Sequence, residues 1–222
     1  MFSNATSALD ATSTASVYER ALGDAFASLP SQLRAYFGPI PPGYEGVGAG
    51  VFEEAGLRFR ILRPAFALAA RLGIAFPERG VDVAFDVCNA PAIDGSRRGI
   101  RRFRFGAATR VMIDRMDVIG GRLVDRLGRG GLLEVELDAH VRENSVRLSS
   151  RRLALRVRNR RVPLPRVMRV EVVEEVVDGP PGGQAVTVRV SAPVLGEIYG
   201  YRGVFSYAVI RRAESGSRPA AR

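Results

Sequence analysis

Tyr199-Gly200-Tyr201-Arg202-Gly203 is the segment of this chain best equipped for chemistry. On a strand, Tyr199 and Tyr201 share one face, Arg202 takes the other, and the glycines leave space beside the rings. Two phenolic hydroxyls and a guanidinium suit the orientation of a carboxylate or phosphate at the mouth of a curved sheet. Arg101 and Phe103 join them, so the candidate ligand-binding set is Tyr199, Tyr201, Arg202, Arg101 and Phe103. If Tyr201 faces the concave side, alternation sends Arg202 to the convex side unless a bulge at Gly200 or Gly203 re-aims it. The competing reading makes both tyrosines core residues packed against a helix.

Other reactive side chains are scarce. A single histidine (His140) and a single cysteine (Cys88) cannot assemble a His/Cys metal site, and no cofactor is called for. Cys88 follows the apolar run Val83–Val87, which predicts a buried, inert thiol. Asp125 or His140 are the candidate acid–base groups of an enzyme, with Arg126 or Arg202 to stabilise an anion. Asp114 with Asp117, or Glu174 with Glu175, are candidate paired acids, and such pairs catalyse only in a perturbing pocket. Gly46-Val47-Gly48-Ala49-Gly50 invites a nucleotide reading, but positions 51 and 53 are Val and Glu and no βαβ unit surrounds it. Close backbone packing or a strand bend suits it better.

Positioning these groups falls to a chain of 222 residues, 46% hydrophobic, with a net charge of +10. All 33 basic residues are arginine, and they are unevenly spread: residues 1–95 carry 7 against 10 acids, residues 96–222 carry 26 against 13. A basic half of this kind attracts phosphates, anionic headgroups or an acidic protein partner. Nucleic acid is disfavoured, since aromatics make up 8%, Trp is absent and no zinc-finger, RNP or basic-zipper pattern occurs. The longest apolar stretch, Ala65–Ala70, falls far short of the roughly 20 residues a transmembrane helix needs, so no transmembrane segment is expected. Residues 1–16 lack the basic and apolar regions of a secretory signal, and a lone cysteine excludes an internal disulfide; both fit a cytoplasmic location.

Ser16–Phe26 reads as a helix with a capping box from Ser16 and Glu19, Ser31–Phe37 as a second turn, and Pro64–Leu72 as a third helix stopped by Gly73. From Val81 onward the apolar period changes to two. Strands are predicted over Val81–Val87, Ile100–Phe105, Thr109–Val118, Arg122–Leu127, Leu132–Val141, Val146–Val157, Val167–Val177, Ala185–Ser191 and Tyr201–Ile210. Their short separators require antiparallel neighbours. Ser149–Arg160 is the most two-faced of them: Arg152, Arg156, Arg158 and Arg160 oppose Leu153, Leu155 and Val157, and Glu134, Glu136 and Asp138 are the natural cross-strand partners of the arginines.

Several pieces in order resemble an uncharacterised bacterial family, the domain of unknown function numbered 4166. They are YERALGDAFASLPSQLRAYF (18–37), YEGVGAGVF (44–52), GIRRFRF (99–105), GRLVDRLG (121–128), VPLP (162–165) and LGEIYGYRG (195–203). The likeness runs from about residue 17 to about residue 210. Such domains resemble carboxy-terminal attachments to oxidoreductase-like or membrane proteins, which implies an accessory role and carries over no catalytic residue. The expected fold is α+β: a strongly curved antiparallel sheet, barrel or half-barrel, wraps the helix near Phe66, Leu68 and Leu72, with the N-terminal helices at one end. A single domain spans 16–212 between disordered tails, 1–15 and 213–222. The expected function is non-catalytic binding of a hydrophobic or lipid-like anion in the concave face. An enzyme acting on an apolar substrate and a module docking on an acidic protein are the alternatives.

Overall fold

The structure is a computed structural model that describes residues 15–158, 160–165, 168–178 and 183–213. The expected tails at 1–15 and 213–222 lie almost wholly outside the described residues. Among the described residues three short α-helices, α1 (Val17–Leu22), α2 (Ser31–Phe37) and α3 (Arg63–Arg71), accompany eleven strands. The strands are β1 (Tyr44–Leu57), β2 (Arg79–Pro91), β3 (Arg97–Phe105), β4 (Ala108–Ile119), β5 (Arg122–Leu127) and β6 (Leu133–Arg142). They continue as β7 (Ser145–Val157), β8 (Arg160–Pro163), β9 (Arg169–Val176), β10 (Gly183–Ala192) and β11 (Gly196–Arg211). The fold is therefore mostly β rather than α+β.

Every pairing is antiparallel, in the order β6-β5-β4-β3-β2-β1-β11-β10-β9-β7, and a further β6–β7 pairing closes ten strands into a barrel. Strand β8 adds to the far half of β7. Closure leaves none of the ten strands with a long free edge. The seam between first and last strand is long, running from Tyr44 opposite Arg211 to Leu57 opposite Tyr199.

Strand alternation fills the interior. Phe52, Val83, Phe85, Phe103, Met112, Leu123, Val135, Leu148, Val186, Tyr199 and Phe205 are all buried in one core. Aromatic rings form its centre: Phe52, Phe76, Phe85 and Tyr201 surround or abut Phe103, with centroids 4.7–5.6 Å from it. Edge-to-face and tilted contacts of this kind add to area burial. The capping box at α1 is present, with the Glu19 N–H donating to Ser16 Oγ at 3.0 Å and the Ser16 N–H donating to Glu19 Oε2 at 2.6 Å. Helices α1 and α2 cover one end of the barrel and bury Val17, Tyr18, Leu33, Tyr36 and Phe37.

The helix expected inside the sheet is not there. α3 has no buried residue, and Leu68 is 58% exposed. Only its Phe66 side packs inward, against Tyr199 at 5.3 Å between ring centroids. Strand side chains already fill the lumen, and a nine-residue helix flanked by Arg63 and Arg71 gains more by lying across the opposite end.

The glycine-rich run 46–50 is the middle of β1, not a phosphate loop. A Cβ at Gly46 would overlap the Tyr207 hydroxyl, and one at Gly50 would overlap the backbone of Val204. The bare backbone lets the side chains of β11 lie across β1, as the close-packing reading anticipated.

Candidate functional site

Four of the five predicted ligand residues face the barrel interior. Arg202 does not. It points outward, its side chain is 58% exposed, and it pairs with Glu53 at 3.4 Å. No bulge occurs at Gly200 or Gly203 to re-aim it; the nearby irregularities are on β1, where Glu53 is the extra residue between Phe52 and Glu54, and on β11 at Ile198, against β10. Phe103 is fully buried among the rings, and the Tyr199 hydroxyl donates to Met112 Sδ at 3.6 Å.

Arg101 is ion-paired with Asp114, on the adjacent strand. The carboxylate of Asp114 lies over Gly99, directly opposite in the register, where any Cβ would overlap it. Asp125 projects from β5 into the same region. Its Oδ1 is buried without a hydrogen-bond partner, and its acidity is suppressed. Burial raises its pKa well above the carboxylate range, the neighbouring Asp114 adds to this, and Arg101 opposes both. Burial also pushes Tyr201 up to about 12, against the pull of Arg101.

Toward the end covered by the short helices, Arg97 donates to the Tyr36 carbonyl at 2.7 Å and to the Tyr207 hydroxyl at 3.0 Å. Its guanidinium lies over the Tyr18 and Tyr36 rings. Glu174 accepts from Gln184 Nε2 at 2.7 Å; burial raises it to about 7, with Arg101 and Arg97 opposing. These groups form a polar network inside an apolar barrel, a costly arrangement unless each member is paired.

Alternation separates the acid pairs picked from sequence. Asp114 is interior while Asp117 faces Arg126 and Arg20, and Glu174 is buried while Glu175 is exposed. Asp114 with Asp125 is the pair the barrel does bring together. His140 is exposed on the outer face of β6, turned away from Asp125, and Arg126 serves Glu134. Cys88 is half-buried on the outer face rather than buried, beside Glu45 at 3.5 Å; burial and that carboxylate raise its thiol pKa. The interior acids were legible in a different way. Asp125 stands between Leu123 and Leu127, Glu174 between Val172 and Val176, and Asp114 between Met112 and Met116, each a charge on an apolar face.

The arginine row of β7 is neutralised in part. Glu134 accepts from Arg126, Arg156 and Arg161 at 3.3, 3.1 and 2.6 Å. Burial works to raise the Glu134 pKa, but the three guanidiniums outweigh it and hold the carboxyl below its usual range. Arg151, the extra residue of a bulge opposite Glu136 and Leu137, lies 3.7 Å from Glu136 and 3.9 Å from Asp138. The strand ends at Val157, and Arg158 (φ 55°) turns the chain into β8, so Arg158 and Arg160 do not extend the row.

Beside this row the barrel wall opens. β7 pairs with β9 only over Ser145–Ser149, then leaves it to pair with β8. Ser150 Oγ accepts from the Val170 N–H at 2.8 Å at the point where the strands part. The gap holds a cavity of 860 Å³, with Leu153, Leu164, Met168 and Ala192 among its walls and Arg151, Arg152, Arg161 and Arg169 around it. Leu164, Met168 and Ala192 also pack on the barrel core. Among the described residues, Arg152 has no carboxylate within 4.0 Å. An apolar wall with a free guanidinium is suited to an apolar anion, and the volume falls in the range of ligand pockets.

The sequence model of the family described as "Domain of unknown function (DUF4166)" matches residues 29–205. The chain belongs to that family. No curated protein and no solved structure matches it. The DUF4166 span includes α2 and strands β1–β10, with most of β11. Arg97, Arg101, Asp114, Asp125, Glu174 and Tyr201 all fall within it, as does the whole lining of the wall cavity. α1 precedes the matched DUF4166 residues.

Proposed function

We propose that this DUF4166 domain is a binding module for an apolar or lipid-like anion, held in the wall cavity between β7–β8 and the β9–β10 side of the barrel. The observation that carries this is the 860 Å³ space where β7 leaves β9, apolar within and edged by four arginines. The cavity opens onto side chains of the barrel core, so an acyl chain entering between Leu153 and Met168 would extend toward the concave face. Arg152, with no carboxylate among the described residues, would meet the anionic end. The Tyr201–Arg101 region, expected from sequence as the polar end of the site, is engaged in the internal network. Its residues contribute to shape rather than to first contact.

Titration with a dansyl-labelled fatty acid tests this. Saturable binding is expected, weakened roughly tenfold in Arg152→Ala, the loss of about one charge-assisted hydrogen bond. Ala192→Phe, which fills the cavity, should abolish it. No saturable binding by the wild-type chain, or equal binding by both variants, overturns the proposal.

A further inference from the structure

The end of the barrel opposite α1 and α2 carries apolar side chains that nothing among the described residues covers. Ile61 is 85% exposed, Leu68 is 58% exposed, and Val194 is fully exposed at the tip of the β10–β11 turn beside Leu195. Val194 has φ 70°, a conformation that a β-branched residue adopts only under strain. Normal turn chemistry would place Gly or Asn there. These residues share one end: the Arg58 N–H donates to the Ile198 carbonyl at 2.9 Å, and Phe66 packs beside Tyr199.

The segment that carries Ile61 and Leu68 has charge of one sign. Between Glu54 and Glu78 the sequence contains four arginines, Arg58, Arg60, Arg63 and Arg71, and no acid. Arg58 is held by Glu197 at 2.8 Å. Among the described residues, Arg60, Arg63 and Arg71 have no carboxylate within 4.0 Å. Protruding aliphatic side chains at an end that also carries guanidiniums with no carboxylate among the described residues match a surface with an apolar layer under an anionic one. An acidic protein would answer the arginines but not a strained, fully exposed valine. The wall cavity opens beside the same turn, since Ala192, Pro193 and Gly196 line it.

We infer that this end of the barrel docks on an anionic lipid bilayer, with Ile61, Leu68 and Val194 entering the headgroup boundary and Arg60, Arg63 and Arg71 contacting lipid phosphates. The inference deepens the binding proposal by naming the source of the ligand, and it stands on surface residues that the cavity does not use. Co-sedimentation of the full chain with vesicles tests it, comparing phosphatidylcholine alone with phosphatidylcholine mixed with phosphatidylglycerol. Binding is expected on the mixed vesicles, at least roughly tenfold stronger than on the neutral ones and falling as salt is raised. The double variant Ile61→Asp/Leu68→Asp and the single variant Val194→Asp should each lose most of it while keeping the wild-type circular dichroism. No binding to the mixed vesicles, equal binding to both kinds, or variants that bind like wild type overturns the inference. The dansyl fatty acid separates the two proposals: the docking variants should bind it unchanged. Fatty-acid binding without vesicle binding would remove docking alone, and the reverse would remove the cavity reading alone.

Discussion

Glu174 is a carboxyl that ought to be ionised at neutral pH and is held near its midpoint instead, because burial outweighs the attraction of Arg101 and Arg97. With a folded-state pKa of about 7 against an ordinary value of 4.5, the folded chain keeps the proton over a window where the unfolded chain has released it. Stability is therefore greatest below the lower value and falls as pH rises to about 7, by about 3 kcal/mol. Urea unfolding of Glu174→Gln at about pH 5 and about pH 8 should show most of that difference gone. Asp125 works in the same direction. Asp125→Asn replaces a carboxyl whose ionisation burial opposes by a neutral amide of similar shape, so it should fold and gain stability on the alkaline side. Asp114→Asn should do the opposite, leaving Arg101 buried without its counter-charge and lowering stability by about 3 kcal/mol or more. These two variants, identical in chemistry and on adjacent strands, separate a carboxyl whose ionisation burial opposes from one that holds an arginine.

The elements that misled the sequence reading did so for identifiable reasons. β1, a fourteen-residue strand paired on both sides, shows no alternation because its inward positions at 46, 48 and 50 are glycine. What glycine hides in pattern it supplies in space, and Gly50→Ala should cost about 1–3 kcal/mol by forcing β11 away from β1, measured as a lowered urea midpoint. The α3 sequence does form a helix, yet its apolar residues divide between two sides: Phe66 meets the barrel while Leu68 faces outward. Helical periodicity reports that a stripe exists but not what it will meet. Strand positions, the capping box and the antiparallel order were legible because each rests on local pattern or on link length. The interior acids were legible only as charges on apolar faces. The convergence of Asp114 and Asp125 with Arg101 depends on register across β3, β4 and β5, which no single strand encodes. The wall cavity was beyond reach for a similar reason, since it exists only because β7 exchanges one partner for another midway.

At the scale of the molecule, closure joins residues far apart in sequence, and two predictions follow from how the ends are finished. Leu33 and Phe37 of α2 are fully buried, and Arg97 donates to the Tyr36 carbonyl. Removing residues 1–38 should abolish cooperative thermal unfolding, since the barrel end would expose its apolar surface together with the Arg97 guanidinium deprived of its Tyr36 acceptor. Refolding after dilution from urea should be slow for a chain of this size, in the millisecond-to-second range, because the pairing of β1 with β11 must close a long loop before any contact rewards it. Stopped-flow fluorescence of the tyrosines would measure it.

The β1–β11 seam also sets a timetable for synthesis. Tyr44 must wait for Arg211 before its strand has both neighbours. At translation rates of roughly 5–20 residues per second, that wait lasts on the order of ten to thirty seconds. Throughout it, β1 can be covered on one flank by β2 while the other presents a row of unpaired amides and carbonyls, smoothed by glycines, to the crowded surroundings of the ribosome. A nascent chain stalled before β11 should accordingly be captured by chaperones and clipped by proteases, and one stalled well past it should resist both.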